Sequence, residues 1–145
     1  MVVGVAEFLE KVSKLKSKKE RIEALKYNDS YPLRTVLQAA FDKRIKFLLP
    51  DTDPPYKEND LVDQQHVFLR DCRKLVYFCE GPYSNIPKAK RENMFIEMLE
   101  TVDKQDAKML LQIKNKRLPW KQIDENICRE AFPNLLHEQE TQIKE

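Results

Sequence analysis

Residues 61–79 read Leu61-Val62-Asp63-Gln64-Gln65-His66-Val67-Phe68-Leu69-Arg70-Asp71-Cys72-Arg73-Lys74-Leu75-Val76-Tyr77-Phe78-Cys79. Leu61, Phe68 and Leu75 recur at intervals of seven, Val62, Leu69 and Val76 do the same, and Cys72 and Cys79 continue a third series. Such spacing lays apolar side chains along one wide stripe of an α-helix. It predicts a long helix over 61–79, capped by Asp60 and stopped by Glu80-Gly81-Pro82, as the central post of an all-α domain.

Shorter helices surround that post. Val5, Phe8, Leu9, Val12 and Leu15 have helical spacing. Ser17-Lys18-Lys19-Glu20 reads as a capping box for a second helix. Pro32 fits the first turn of a third, whose stripe is Leu33, Val36, Leu37, Ala40 and Phe41. Ile45 to Leu49 reads as extended chain or a short strand, and the proline-bearing stretch 50–60 as a loop. Further helices are expected from Pro87 to Val102, after Asp103, and from Pro119 through Trp120, Ile123, Ile127 and Ala131. The expected architecture is a compact bundle of about seven short helices around the long one. It forms one domain over 1–135, followed by a polar C-terminal tail over 136–145.

Composition narrows the function classes. The chain has 145 residues, with Lys plus Arg 26 against Asp plus Glu 24 and a net charge of +2. Its only glycines, Gly4 and Gly81, cannot build the glycine-rich loops that cradle phosphates in nucleotide-binding enzymes. No apolar run suggests a membrane span, and the first residues lack the pattern of a secretory signal. The expected location is therefore a cytoplasm. Cys72, Cys79 and Cys128 are too few and too scattered for a disulfide framework.

Nothing in the sequence assembles a reaction centre, so a non-enzymatic protein without catalytic residues, metal or cofactor is expected. His66 lies beside the apolar stripe and His137 in the polar tail, each isolated. His66 and Cys72, six apart, do not share one helical face. Asp51, Asp53, Glu58 and Asp60 form an acidic loop without the central glycine of a calcium loop, and read as solvated.

The basic residues are more informative, because they cluster. Residues 1–50 hold 11 basic and 6 acidic side chains, whereas 51–100 hold 7 and 10. Lys14, Lys16, Lys18 and Lys19 crowd the first inter-helix corner, and Lys43, Arg44 and Lys46 follow the third helix. Lys114, Lys116, Arg117 and Lys121 occupy a turn with no acid, just before the helix expected at Pro119. Cations beside a helix N-terminus suit phosphate, since free N–H groups there point at an anion. Lys114, Lys116, Arg117, Lys121, Lys14, Lys16, Lys18 and Lys19 are therefore the candidate nucleic-acid contacts.

Two segments carry a resemblance. One runs from Glu20-Arg21-Ile22-Glu23-Ala24-Leu25 through Leu33-Arg34-Thr35-Val36-Leu37 to Phe41-Asp42. The other joins Asp106-Ala107-Lys108-Met109-Leu110-Leu111, the basic turn, and Ala131-Phe132-Pro133-Asn134-Leu135. Together they resemble the all-helical N-terminal DNA-binding domain of phage-type ATP-dependent DNA ligases. That resemblance implies contact with DNA phosphates through inter-helix turns, here Lys114, Lys116 and Arg117. The adenylated Lys-x-Asp-Gly motif of the ligases is absent, so no ligase chemistry follows.

Phrases such as Ala6-Glu7-Phe8-Leu9-Glu10-Lys11-Val12 and Arg70-Asp71-Cys72-Arg73-Lys74-Leu75-Val76-Tyr77 are similar to short proteins of large tailed cyanobacterial phages. The expectation is a phage accessory protein in the host cytoplasm that binds nucleic-acid backbone. The alternative is a host-takeover or virion module that binds another protein and no nucleic acid.

Overall fold

The computed structural model describes residues 3–136. Among them the chain is all-α: α1 (Val5–Ser13), α2 (Lys18–Tyr27), α3 (Tyr31–Phe41), α4 (Gln65–Asp71), α5 (Lys88–Thr101), α6 (Lys104–Ile113) and α7 (Glu125–Ala131). Leu136 is buried, and the rest of the expected tail, 137–145 with His137, lies outside the described residues.

Most helix starts follow from local capping. Ser17 and Glu20 close a reciprocal capping box at α2, and the Ser30 hydroxyl accepts from Leu33 N–H at α3, with Pro32 in the first turn. Asp103 caps α6 by accepting from Gln105 N–H. α1 is different, because Gly4 offers no side-chain cap. Its free N–H groups are met from other elements instead: Gly4 N–H donates to Gln65 Oε1, and Ala6 N–H to the buried Asp106 carboxylate at 3.0 Å. Only glycine allows that approach, since a Cβ at position 4 would stand 2.9 Å from Gln65 Oε1.

The central post is not residues 61–79. Leu61 and Val62 are 70% and 80% exposed, Asp63 adopts a left-handed φ of 58°, and α4 begins only at Gln65. Polar side chains preceding it satisfy the backbone in a non-helical form, as where Asn59 Oδ1 accepts from Leu61 N–H at 3.0 Å. After Asp71 the chain tightens into a 3₁₀ helix, Cys72–Phe78, in which every third residue (Cys72, Leu75, Phe78) is buried. A set three apart fits the tighter turn, whereas the sevenfold series would have required continuous α-helix. Val76, expected on the buried stripe, is exposed.

The middle of the core is supplied by α6, whose Ala107, Met109, Leu110 and Ile113 are buried and which packs against α1, α3 and α5. The segment after α3 is extended, as expected. Phe47 forms an isolated antiparallel bridge with Cys79, with Leu48 N–H donating to Phe78 O and Glu80 N–H to Lys46 O, each at 2.8 Å.

A second correction concerns the last helix. It starts at Glu125, capped by Asp124 accepting from Ile127 N–H, and not at Pro119. Leu118 and Ile123 are both buried and five apart, a separation that no single helix face presents inward. Residues 117–124 are therefore an irregular connection, with Trp120 half-buried against the core.

Candidate nucleic-acid interface

The turn after α6 closes as a Schellman motif. Lys116 N–H donates to Ile113 O at 2.8 Å and Arg117 N–H to Gln112 O at 3.2 Å, with Lys116 at a left-handed φ of 64°. Glycine is the usual residue at that position. Here a lysine occupies it, and its side chain has structural work. Lys116 Nζ donates to the carbonyls of Ala39, Asp42 and Ile45 at 2.5, 2.9 and 2.8 Å. These carbonyls lie at the end of α3 and the start of the following loop, where a cation also meets the negative end of the helix dipole; that of Asp42 accepts from Ile45 N–H as well, at 3.1 Å. The ammonium lies 5.7 Å from the centre of the Phe47 ring, and burial lowers its pKa from the ordinary lysine value.

Lys114 is used in the same way on the neighbouring loop. Its side chain is 1% exposed, its Nζ donates to Pro50 O at 3.0 Å and Asp51 O at 2.8 Å, and Asp53 stands 3.6 Å away. Asn115 adds a donor to the same Asp51 carbonyl at 3.1 Å. Lys114 and Lys116, expected as phosphate contacts, thus spend their donors inside the protein. The turn also lacks the helix N-terminus expected at Pro119. The lysines turn inward because the turn abuts two chain segments whose carbonyls accept from them, and the missing helix start follows from the burial of Leu118 and Ile123.

The other candidates are exposed. Arg117 donates to Gln112 Oε1 at 2.9 Å, and Lys121 has no partner among the described residues. At the first corner, Lys14 pairs with Glu10 at 3.4 Å and Lys18 with Glu130 at 2.8 Å, while Lys16 and Lys19 are exposed and unpaired among the described residues. The Lys18–Glu130 pair raises the Lys18 pKa and fixes the start of α2 against α7.

Two basic segments far apart in sequence do come together. Lys116 holds the loop after α3, so that Lys43 and Lys46 share one open groove with Lys116, bordered by Phe41, Ile45 and Phe47. The groove volume is about 470 Å³, and Lys43 and Lys46 stand exposed on it without partners among the described residues. The one carboxylate among its described lining residues, Glu125, is held by Arg129 at 2.8 Å. Lys43 and Lys46 were legible as a basic cluster but not as members of this surface, because their neighbour Lys116 lies some seventy positions away.

His66 is exposed with Nδ1 3.2 Å from Asp63 O, and Cys72 is buried. Burial pushes the thiols of Cys79 and Cys128 up to about 11 and about 12, which keeps them protonated. Among the described residues no group of three His, Cys, Asp or Glu side chains could hold a metal ion. In the acidic loop, Asp53 faces Lys114 and Glu58 pairs with Lys108 at 3.8 Å. No helix among the described residues is long and apolar enough to cross a membrane.

The chain belongs to a family of unknown function, DUF6433, whose model matches residues 8–120. That span contains most of α1 and all of α2 to α6, both lysines of the Schellman turn and the loop they hold. No curated protein and no solved structure matches the chain.

Proposed function

We propose that the protein is a non-enzymatic phage accessory module that binds nucleic-acid backbone. One observation carries this reading: Lys116 ties the loop after α3 to the end of α6, presenting Lys43 and Lys46 in a groove that has no free acid among the described residues. Unpaired ammonium groups carried by a fastened loop beside an open groove suit phosphates, which give affinity without reading sequence. Lys16 and Lys19 on the first corner, with Arg117 and Lys121 on the last connection, extend the exposed cationic surface. The phage assignment rests on the sequence resemblance alone. The role of Lys114 and Lys116 in this reading is to position the surface.

Fluorescence anisotropy titrations of labelled DNA at two salt concentrations test it. The wild type binds at low salt and releases as salt rises. Lys43→Glu with Lys46→Glu weakens binding and flattens the salt dependence by roughly 0.9 in logarithmic slope for each duplex phosphate that is no longer neutralised. Absence of binding at low salt, or an unchanged titration in the double variant, refutes the proposal.

A protein-binding role has its own observation, the adjacent exposed pair Leu61 and Val62 between Asp60 and Asp63. Exposed apolar side chains side by side are a feature of protein contact sites. On this second reading, one stoichiometric protein is retained from a host lysate, and Leu61→Ser with Val62→Ser releases it without changing DNA affinity.

A further inference from the structure

The loop 42–46 divides two grooves. Lys43 and Lys46 line the one already described, while Arg44 and Ile45 line a second, between α3 and the 3₁₀ helix Cys72–Phe78. We infer that this second groove is a site for a single-stranded nucleotide segment, with a base stacked on Tyr31 at the edge of its apolar floor and phosphates on its arginine rim. The inference rests on the nucleic-acid reading above and adds a site and a strand preference that the basic turns do not suggest.

Four features support it. The groove has a volume of about 410 Å³, within the range of small-ligand clefts. Its floor is apolar, from Ala39, Ile45, Leu75, Val76 and Leu135. Three guanidinium groups reach it: Arg34 from α3, Arg44 from the loop and Arg73 from the 3₁₀ helix. An aromatic ring, Tyr31, stands at its edge, 55% exposed, with the Arg73 guanidinium 5.0 Å from its centre.

The arginines are held ready. Arg34 donates to both oxygens of Asp29, at 2.6 and 2.9 Å, and lies 4.8 Å from the centre of the Phe132 ring. That grip fixes the guanidinium plane and leaves its remaining N–H groups unassigned. Arg44 is 3.6 Å from Asp42, a loose pair, and Arg73 has no carboxylate partner among the described residues. Glu80 is the one carboxylate among the described residues that line the groove. An apolar floor with an aromatic edge and guanidinium groups matches the two faces of a nucleotide, base and phosphate. A paired duplex keeps its bases stacked inside and offers this floor nothing. A single strand can turn a base outward, which decides between the two.

The test uses the full chain and two labelled probes, an oligothymidylate strand and a duplex of equal length, in anisotropy titrations at one salt concentration. The wild type is expected to bind the strand about tenfold more tightly than the duplex. Tyr31→Ala with Arg73→Ala weakens strand binding at least about fivefold, as expected when one stacked base is released, and leaves duplex binding unchanged. Tyr31→Phe, which keeps the ring, binds the strand as the wild type does. All three changes lie at exposed positions, and circular dichroism confirms the fold of each variant.

Equal or tighter duplex binding by the wild type overturns the inference. So does strand binding that survives the double substitution. If binding falls only with Lys43→Glu and Lys46→Glu, the groove has no role while the backbone-binding reading stands. If neither probe binds, both fall together.

Discussion

The turn at 114–116 and the corner at 14–19 look alike in sequence, since each is a lysine-rich break between helices. In the folded chain they are opposites. Lys116 gives its donors to three carbonyls and Lys114 to two. At the corner, Lys14 and Lys18 make exposed ion pairs, and Lys16 and Lys19 make none among the described residues. The difference lies in what the turn abuts. A break beside the carbonyl end of another helix recruits cations inward, and a break facing water leaves them outside. Arg91 repeats the inward pattern. Buried, it donates to the carbonyls of Tyr77, Tyr83 and Ser84, closing the end of the 3₁₀ helix.

The strongest way to break this contrast is a charge reversal in each region. Lys116→Glu places a carboxylate against three carbonyl oxygens and should cost about 4 kcal/mol, an effect typical of an uncompensated charge in a protein interior. Lys16→Glu and Lys19→Glu should stay within about 0.5 kcal/mol. Urea unfolding midpoints of the variants measure both. Equal effects in the two regions would abolish the distinction.

A second experiment sharpens it with a buried charge of the opposite sign. Lys116 has three acceptors, whereas Asp106 has one N–H donor at 3.0 Å and a second oxygen without a partner. Burial first, then the charges of Asp103 and Glu7, push its carboxyl from 3.8 up to about 7 against the pull of Ala6 N–H. The folded chain therefore binds this proton more tightly than the unfolded chain. The stability that the protonated form contributes is present below about pH 4 and is lost as pH rises towards about 7. Asp106→Asn keeps an oxygen for Ala6 N–H and cannot ionise. Relative to this variant, the wild type should lose on the order of 3 kcal/mol across that window, read from urea midpoints at several pH values. A difference that stays flat with pH would refute the assignment.

The smallest effect belongs to the exposed pair. Lys18→Ala removes a salt bridge whose partners are both more than half exposed, and should barely move the unfolding midpoint. Double-mutant cycles with Glu130→Ala isolate that coupling, and it should shrink further as salt is added. A coupling as large as the Lys116 effect would place the corner and the turn in one class.

The parts of the fold that sequence reveals are those with local causes. Ser17 and Glu20 sit three apart and need no distant partner, so the start of α2 is readable from four residues. The start of α7 is not, because Leu118 and Ile123 are pulled inward by a core assembled from other helices, and Pro119 only resembles a helix opening. Residues 61–79 mislead for a related reason. Their sevenfold repeat is genuine, yet the bridge from Phe47 to Cys79 and the buried set Cys72, Leu75 and Phe78 impose a tighter winding. The basic clusters were legible as charge. Their division into structural and exposed cations depends on carbonyls 63 to 77 positions away, and no local pattern encodes it.

The loop that carries Lys43, Arg44 and Lys46 is fastened twice, by Lys116 on one side and by the paired amides of Leu48 and Glu80 on the other. Both fastenings join residues distant along the chain, so each becomes favourable only after the entropy of closing a long segment has been met. This clasp therefore closes late in folding, and the amide protons of Leu48 and Glu80 should exchange sooner than those of the core helices. Fraying of the last turn of α6 would open the clasp before it disturbed the core, making hydrogen exchange at these two amides a direct clock for assembly of the cationic surface.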